Sequence, residues 1–294
     1  MMPSTDRMKS HRSCFIILLF PTLLFAASHS AQPQDPKDQS APPATYDEIQ
    51  ARDALNKGIA DYKNAQYQDA IRDFTRAKHL DPHLLNARLH LATTYKTLYI
   101  PGSPAEDNIR LGQAAIQEFQ ELLALDSANL SAIDALGMLL FMTAGQPFDS
   151  AKFEESKSYH KKHIQLRPED PEPYYWVGVI DWTLSFRANA ELRGVHNREH
   201  PRNSLRDDQS LPSDLREIYR SEYGSIISEG IEHLQQASRL KPDFGDALAY
   251  LNLLYRRKAD AVETAAERRQ LMKMADDLVD ELMKIKQKEL QQDH

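Results

Sequence analysis

Two histidine pairs have the spacing best suited to chemistry. His160 and His163 stand three apart; His196 and His200 stand four apart, with Glu199 between them. On a helix, either spacing turns two ring nitrogens to one face, the grip that a zinc-like ion requires. Neither pair has a third ligand at motif spacing, and Pro201 ends the second segment. No glycine-rich phosphate loop and no Gly-x-Ser-x-Gly occurs in the string. Glu154-Glu155, Asp207-Asp208 and Asp276-Asp277 read as solvated faces, not opposed carboxylates. Cys14 is the only cysteine, and it precedes an apolar run, so the chain beyond it has no thiol for catalysis, metal or disulfide. These residues predict a noncatalytic protein with no metal and no cofactor. A metal-dependent enzyme using the insert histidines, His196 and His200, is the alternative.

The elements that would carry these residues are helical. Glycine is scarce, no stretch alternates like a strand, and Ala, Leu, Gln, Glu and Lys dominate. Net charge is -7 with no dense basic run, which argues against nucleic acid as a partner. Residues 1–31 read as a signal peptide: Lys9 and Arg12 precede the uncharged run Cys14–Ala27, and small residues follow to Ala31. That run is shorter than the ~20 residues a bilayer span needs, and Pro21 interrupts it. The expectation is a periplasmic or secreted protein with no stable membrane span after cleavage; an uncleaved N-terminal anchor is the alternative. Met8 offers a second possible start. Residues 32–45 form a Pro-rich linker (Pro33, Pro36, Pro42, Pro43), and order should begin near Tyr46.

From there one phrase recurs four times. It runs Ala70-Ile71-x-x-Phe74-x-x-Ala77-x-x-Leu80-Asp81-Pro82, then Ala115 to Asp126-Ser127, Ser156 to Arg167-Pro168, and Gly230 to Lys241-Pro242. A small residue, a large one three or four on, a second small or aliphatic one and a stop describe one helix face written repeatedly. That is the pattern of stacked helical hairpins. Ala54, Gly58, Tyr62, Tyr67, Ala70, Phe74, Ala77 and Pro82 together closely resemble the tetratricopeptide repeat. Leu91-Ala92-x-x-Tyr95, Leu136-Gly137, Gly178 and Ala247-Leu248 give weaker echoes. The stretch Gly178–Trp182 with Ala249–Asp260 is similar to secreted or envelope tetratricopeptide proteins of bacteria.

The resemblance implies an all-α, right-handed α-solenoid of about five hairpins over residues 46–288, with an insert at 185–221 and a polar tail at 289–294. It also implies a protein or peptide partner held on the concave side, which the first helix of each hairpin lines. At the groove-facing positions of those helices stand Tyr62, Leu89, Lys96, Met138, Phe141, Met142, Tyr175, Trp182 and Arg256. They make an apolar and aromatic strip with Lys96, Arg256 and Arg257 at its rim. The same positions hold Asp134, Glu172 and Asp246. Leu55 and Ile59 stand where a terminal-carboxylate clamp would need polar groups. The third hairpin departs from the pattern, with Ser156, Lys157, His160 and His163 at places usually small or apolar. The arginine-rich insert reads either as a partner- or anion-binding flap or as a self-neutralising loop over one edge, with Ser213 capping a helix after it. An envelope component that self-associates through its terminal helices remains a second functional possibility.

Overall fold

Four turns with the same backbone hydrogen bonds set the architecture. The computed structural model describes residues 45–292 apart from Gln146; the expected leader and all of the linker except Thr45 lie outside the described residues. Ten α-helices, and no strand, occur among those residues. They are α1 (Tyr46–Lys63), α2 (Tyr67–Leu80), α3 (Leu85–Leu98), α4 (Glu106–Leu125) and α5 (Leu130–Thr143). Then come α6 (Ser150–Leu166), α7 (Pro171–Glu199), α8 (Ser213–Leu240), α9 (Gly245–Ala259) and α10 (Ala265–Gln292). The ends of α2, α4, α6 and α8 fall at Asp81, Asp126, Arg167 and Lys241, the stops of the four sequence phrases. All four residues are extended, with φ between -132° and -142° and ψ between 75° and 95°. Each donates its N–H to the carbonyl four residues back, and each carbonyl accepts from the N–H three residues on. Asp81 and Asp126 add a side-chain bond to the N–H two residues later. The same local chemistry therefore folds back the chain at each hairpin junction.

At the start of the array Thr45 and Glu48 cap α1 reciprocally. Inside each hairpin the small residues mark close approach. A Cβ on Gly58 would come 2.6 Å from the Phe74 ring, and one on Gly178 2.3 Å from Leu234 Cγ. One on Gly230 would meet Leu254 at 2.7 Å and Asp181 at 2.8 Å. The core is correspondingly segmented. One cluster joins Ala54, Phe74, Ala77 and Leu91; a second joins Phe119, Leu122, Ile133 and Leu136; a third joins Tyr219, Leu234, Leu251 and Leu254. Each lies between neighbouring hairpins, as in a solenoid.

The first helices α1, α3, α5, α7 and α9 are the closer row: α1 touches α3, α3 touches α5 and α7 touches α9. The second helices come less close and meet through long side chains, Lys78 of α2 with Glu118 of α4 and Lys157 of α6 with Glu229 of α8. An array whose first helices crowd together bends towards them, so they line the inner wall. Between α5 and α7 the row is looser and is bridged by rings, with Phe141 and Trp176 at 5.4 Å.

Three boundaries differ from expectation. The insert at 185–221 is mostly helix: α7 continues to Glu199 and α8 begins at Ser213, leaving 200–212 as the connection, which includes a short 3-10 turn at Pro201–Asn203. Ser213 does not cap α8. It is the first helical residue, after Pro212, and no side chain bonds to the open N–H groups there. Of the expected polar tail at 289–294, the residues up to Gln292 belong to α10, and the last two lie outside the described residues. The second hairpin has a longer second helix than the first, since α4 has 20 residues against 14 in α2.

If close approach sets the hairpin geometry, Gly178→Ala should cost about 1–3 kcal/mol by overpacking against Leu234. Gly224→Ala in α8, where the nearest atom beyond the helix backbone is Arg220 Cγ at 3.8 Å, should be neutral or stabilising by up to about 1 kcal/mol. Urea denaturation of both variants reads the difference; equal effects would show that the glycine is not placed for proximity.

Candidate functional site

The inner wall gathers the residues expected of a groove. Leu89, Met138, Phe141, Met142, Tyr175 and Trp182 are all half-buried, as side chains on a concave surface should be. Tyr62 is half-buried too, and its hydroxyl lies 2.9 Å from Thr97 Oγ1 on α3. Trp182 stacks on Phe186 at 5.1 Å and meets Tyr250 of α9 edge-on at 5.2 Å. Tyr175 contacts Trp176, Phe244 and Tyr250. The aromatic strip is therefore continuous from α7 to α9. Tyr250, Phe186 and Trp176 belong to it, although repeat position alone did not single them out. Their contacts join separate hairpins or successive turns of α7. Phe141 also holds the scaffold together, because its ring meets Phe153 and Trp176 and packs on Ile180 and Leu184.

The expected basic rim is not arranged as predicted. Arg256 bonds to Asn252 and pairs with Asp276 of α10 at 2.7 Å. Arg257 bonds to Asn189 and lies 3.4 Å from Asp260. Both arginines are engaged by their own scaffold because acidic or amide partners stand closer than any groove occupant. Lys96 faces the wall, where burial lowers its pKa and Asp134 opposes the shift. Burial raises Asp134, against the hydrogen bond from His163. It also raises Glu172, although that residue is exposed. Reachable by water yet crowded by protein is the electrostatic mark of a concavity.

The irregular third hairpin turns out to be a buried polar layer. Ser156 donates to the Gly137 carbonyl at 2.7 Å. His160 is buried against Trp176, and burial with the charge of His163 lowers its pKa to about 3, so it is neutral. His163 Nδ1 lies 2.5 Å from Asp134 and its Nε2 3.4 Å from Asp170. Lys157 of α6 lies 2.9 Å from Asp181 of α7, with Glu154 at 2.9 Å and Glu229 of α8 at 3.4 Å. Burial opposes charge on Lys157, but Asp181 and Glu154 outweigh it and keep the ammonium protonated. Burial pushes Asp181 up to about 7 even though Lys157 pulls it down. His196 and His200 stack on each other at 4.4 Å, away from His160 and His163 in the sequence, and His200 Nδ1 lies 3.2 Å from the His196 carbonyl. No group of three or more His, Cys, Asp or Glu among the described residues is arranged to hold a metal.

The insert is fastened to the last hairpin. Arg193, 5% exposed, bonds to Asn189 and to the carbonyls of Arg206 and Gln209. Asp260, 3% exposed, takes Arg268 at 2.9 Å, with Arg193 and Arg257 each at 3.4 Å. Arg268 also reaches the Asp208 carbonyl. A cavity of about 720 Å³ opens beside this region, lined by residues including Arg220, Lys258, Glu263 and Glu267. Arg220 is already paired with Glu217 and Glu263 there.

Hairpins joined by one repeated turn, first helices on the inside and a segmented core define a tetratricopeptide-type α-solenoid. Among solved structures, a double mutant of MamA from strain RS-1 matches with a TM-score of 0.54 at 14% identity, over 82% of this chain and 96% of that one. MamA from residue 41 to its end, from Desulfovibrio magneticus RS-1, matches with a TM-score of 0.52 at 14% identity, over 81% and 96%. Another MamA structure gives 0.51 at 16% identity, over 80% and 94%. These likenesses concern the fold. No family model and no curated protein matches the chain.

The buried pair makes a pH-dependent prediction. Lys157→Met leaves Asp181 buried with Glu154 and Glu229 nearby, and should cost about 3–5 kcal/mol. Asp181→Asn should cost less, because it removes the carboxylate that burial opposes. A carboxyl whose folded pKa is raised gives stability that is present below its unfolded value and lost as pH rises through the folded one. The excess stability of wild type over Asp181→Asn should therefore fall between about pH 4 and pH 7. Denaturation at stepped pH measures it; a difference that rises over that interval would refute the assignment.

Proposed function

We propose that this protein is a noncatalytic adaptor that holds a peptide or protein segment against the inner wall of its solenoid. The observation that carries this reading is the continuous strip of half-buried aromatic side chains from Tyr175 through Trp182 to Tyr250. Large amphipathic rings on a rigid concave surface give contact area at low entropy cost, the usual basis of an anchor site. His160 and His163 belong to the packing of α6 against α7 and α5. His160 is buried and neutral, and His163 is engaged by Asp134.

The reading extends to a bacterial envelope. It draws there on the leader-like residues 1–31, on the absence of cysteine after Cys14, and on the similarity of Gly178–Trp182 and Ala249–Asp260 to envelope repeat proteins. No helix among the described residues is long and apolar enough to cross a membrane. Self-association through the ends of the array is the second reading, favoured by the exposed Met283 and Leu290 on α10 and Tyr46 on α1.

Site-specific photocrosslinking in the native envelope separates the two. A crosslinker at Met142 or Thr183 on the inner wall should capture a partner, whereas one at Gln120 on α4 should not. Adducts only at α1 and α10, and only with the chain itself, would replace the adaptor by an assembly component. Trp182→Ala should reduce inner-wall capture about tenfold, in line with an aromatic anchor worth about 1.5 kcal/mol or more, while helicity by circular dichroism stays unchanged. Phe141 is the poorer probe, since its ring also holds α5 against α6 and α7.

A further inference from the structure

The last helix outruns the one it packs on. Among the described residues α10 packs chiefly against α9, with Leu271, Ala275 and Leu278 entering the third core cluster. A Cβ on Gly245, the first residue of α9, would lie 3.1 Å from Leu282 Cδ1. α9 therefore starts level with Leu282, and residues 283–292 of α10 run on past it for about 15 Å. A helix end that leaves its neighbour behind is held by propensity alone, which is marginal in water.

A second line of side chains runs beside the seam with α9. Met272, Asp276, Val279, Met283, Lys286 and Leu290 are spaced alternately four and three apart. That spacing holds them within an arc of about 80° of the helix surface. Val279, Met283 and Leu290 are 37%, 54% and 65% exposed, and Met272 is half-buried. Exposed apolar side chains at heptad spacing suit contact with another helix.

The order of this line fits it to itself. Its six positions are symmetric about Glu281, and the residue types match under that symmetry: Met272 with Leu290, Val279 with Met283, and Asp276 with Lys286. We propose that two copies of this chain pair antiparallel along α10, with a two-fold axis level with Glu281. Each of the three pairs then forms between the copies, twice over. A parallel pairing would set Asp276 against Asp276 and Lys286 against Lys286, so charge selects the antiparallel one. Asp276 meets Arg256 of its own chain at 2.7 Å but is 66% exposed, so a second cation can reach it. A foreign partner would not require the mirrored order, whereas a second copy does. Such a dimer rests on the self-association reading, gives it a particular face, and leaves the inner wall open to a ligand.

Sedimentation equilibrium of the full chain from about 1 to about 100 μM tests this, because one helix pair is a small interface that should dissociate in the micromolar range. The chain should pass from monomer to dimer and stop there, as a closed two-fold pair must. Asp276→Lys and Lys286→Asp should each weaken the dimer at least about tenfold, since like charges then face each other. Mixed in equal amounts, the two variants should recover it as a heterodimer, because one carries lysine at both positions and the other aspartate. Recovery also controls for folding, since a misfolded variant could not take part. Glu281→Lys makes the same charge change on the opposite face of α10 and should leave the dimer unchanged. A monomer throughout, growth beyond the dimer, or no recovery in the mixture overturns the proposal. So does a dimer indifferent to both single variants, which would leave self-association standing on another face. A photocrosslinker at Met283 that captures a different protein and never this chain overturns the second copy as occupant. Crosslinking at Met142 and Thr183 decides the adaptor reading separately.

Discussion

Everything on the inner wall depends on how closely paired helices can approach. Gly178 lies so near Leu234 that a single added carbon would overlap it, and Gly58 stands likewise against the Phe74 ring. With those positions empty, large residues on one helix enter the space on the next, and the register of each hairpin is fixed. Register decides which face of α7 points inward, and so decides that Tyr175 and Trp182 meet Tyr250 instead of solvent. The repeated turns at Asp81, Asp126, Arg167 and Lys241 then carry the same orientation from hairpin to hairpin. The site is a consequence of small residues far from it in chemistry but adjacent in geometry.

The third hairpin meets the same constraint with different material. Ser156, Lys157, His160 and His163 replace apolar seam residues, and burying them is costly unless each finds a partner. The hairpin's own α5 and the next hairpin supply most of them: the Gly137 carbonyl for Ser156, Asp134 for His163 and Asp181 for Lys157, while His160 stacks on Trp176 with its Nε2 left without a hydrogen bond. Such partners exist in one alignment only. A slip by one helical turn would leave Lys157 and Asp181 unpaired in the interior, whereas an apolar seam would lose only part of its contact. The polar layer is thus poor as a source of stability but strong as a specifier of alignment, at the point where α5 and α7 are loosely apposed. The arginine clasp on Asp260 does the same for the connection at 200–212, holding it to α9 and α10.

Much of this was legible in the sequence because it is local. The stop phrases mark the four turns, Thr45 and Tyr46 mark the start, and the small residues mark the crossings; each is a short-range pattern with one physical solution. What could not be read were the long-range pairings of charge. Arg193 and Asn189 look like solvent residues until Asp260, 71 positions beyond Asn189, is brought to them. The stretch at 185–221 therefore reads as a loop although most of it is helix. Arg256 sits at a groove position by repeat counting, yet Asp276, 20 positions on, draws it towards α10. Repeat position fixes where a Cβ lies. It does not fix where a long charged side chain ends, because that depends on which opposite charge the fold brings nearest.

That limit also explains why the character of the wall changed between sequence and structure. Counting positions put Lys96, Arg256 and Arg257 around an apolar strip, a surface suited to a peptide or protein segment. The folded chain engages both arginines internally and desolvates Lys96, while Glu172 and Asp246 stay without ion-pair partners. Lys96 faces Asp134 and Lys241 faces Glu172, and both lysines likewise make no ion pair within 4.0 Å among the described residues, so the free charge of the wall is mixed. What distinguishes the wall is therefore its run of rings from Tyr175 through Trp182 to Tyr250, and not the sign of its charge.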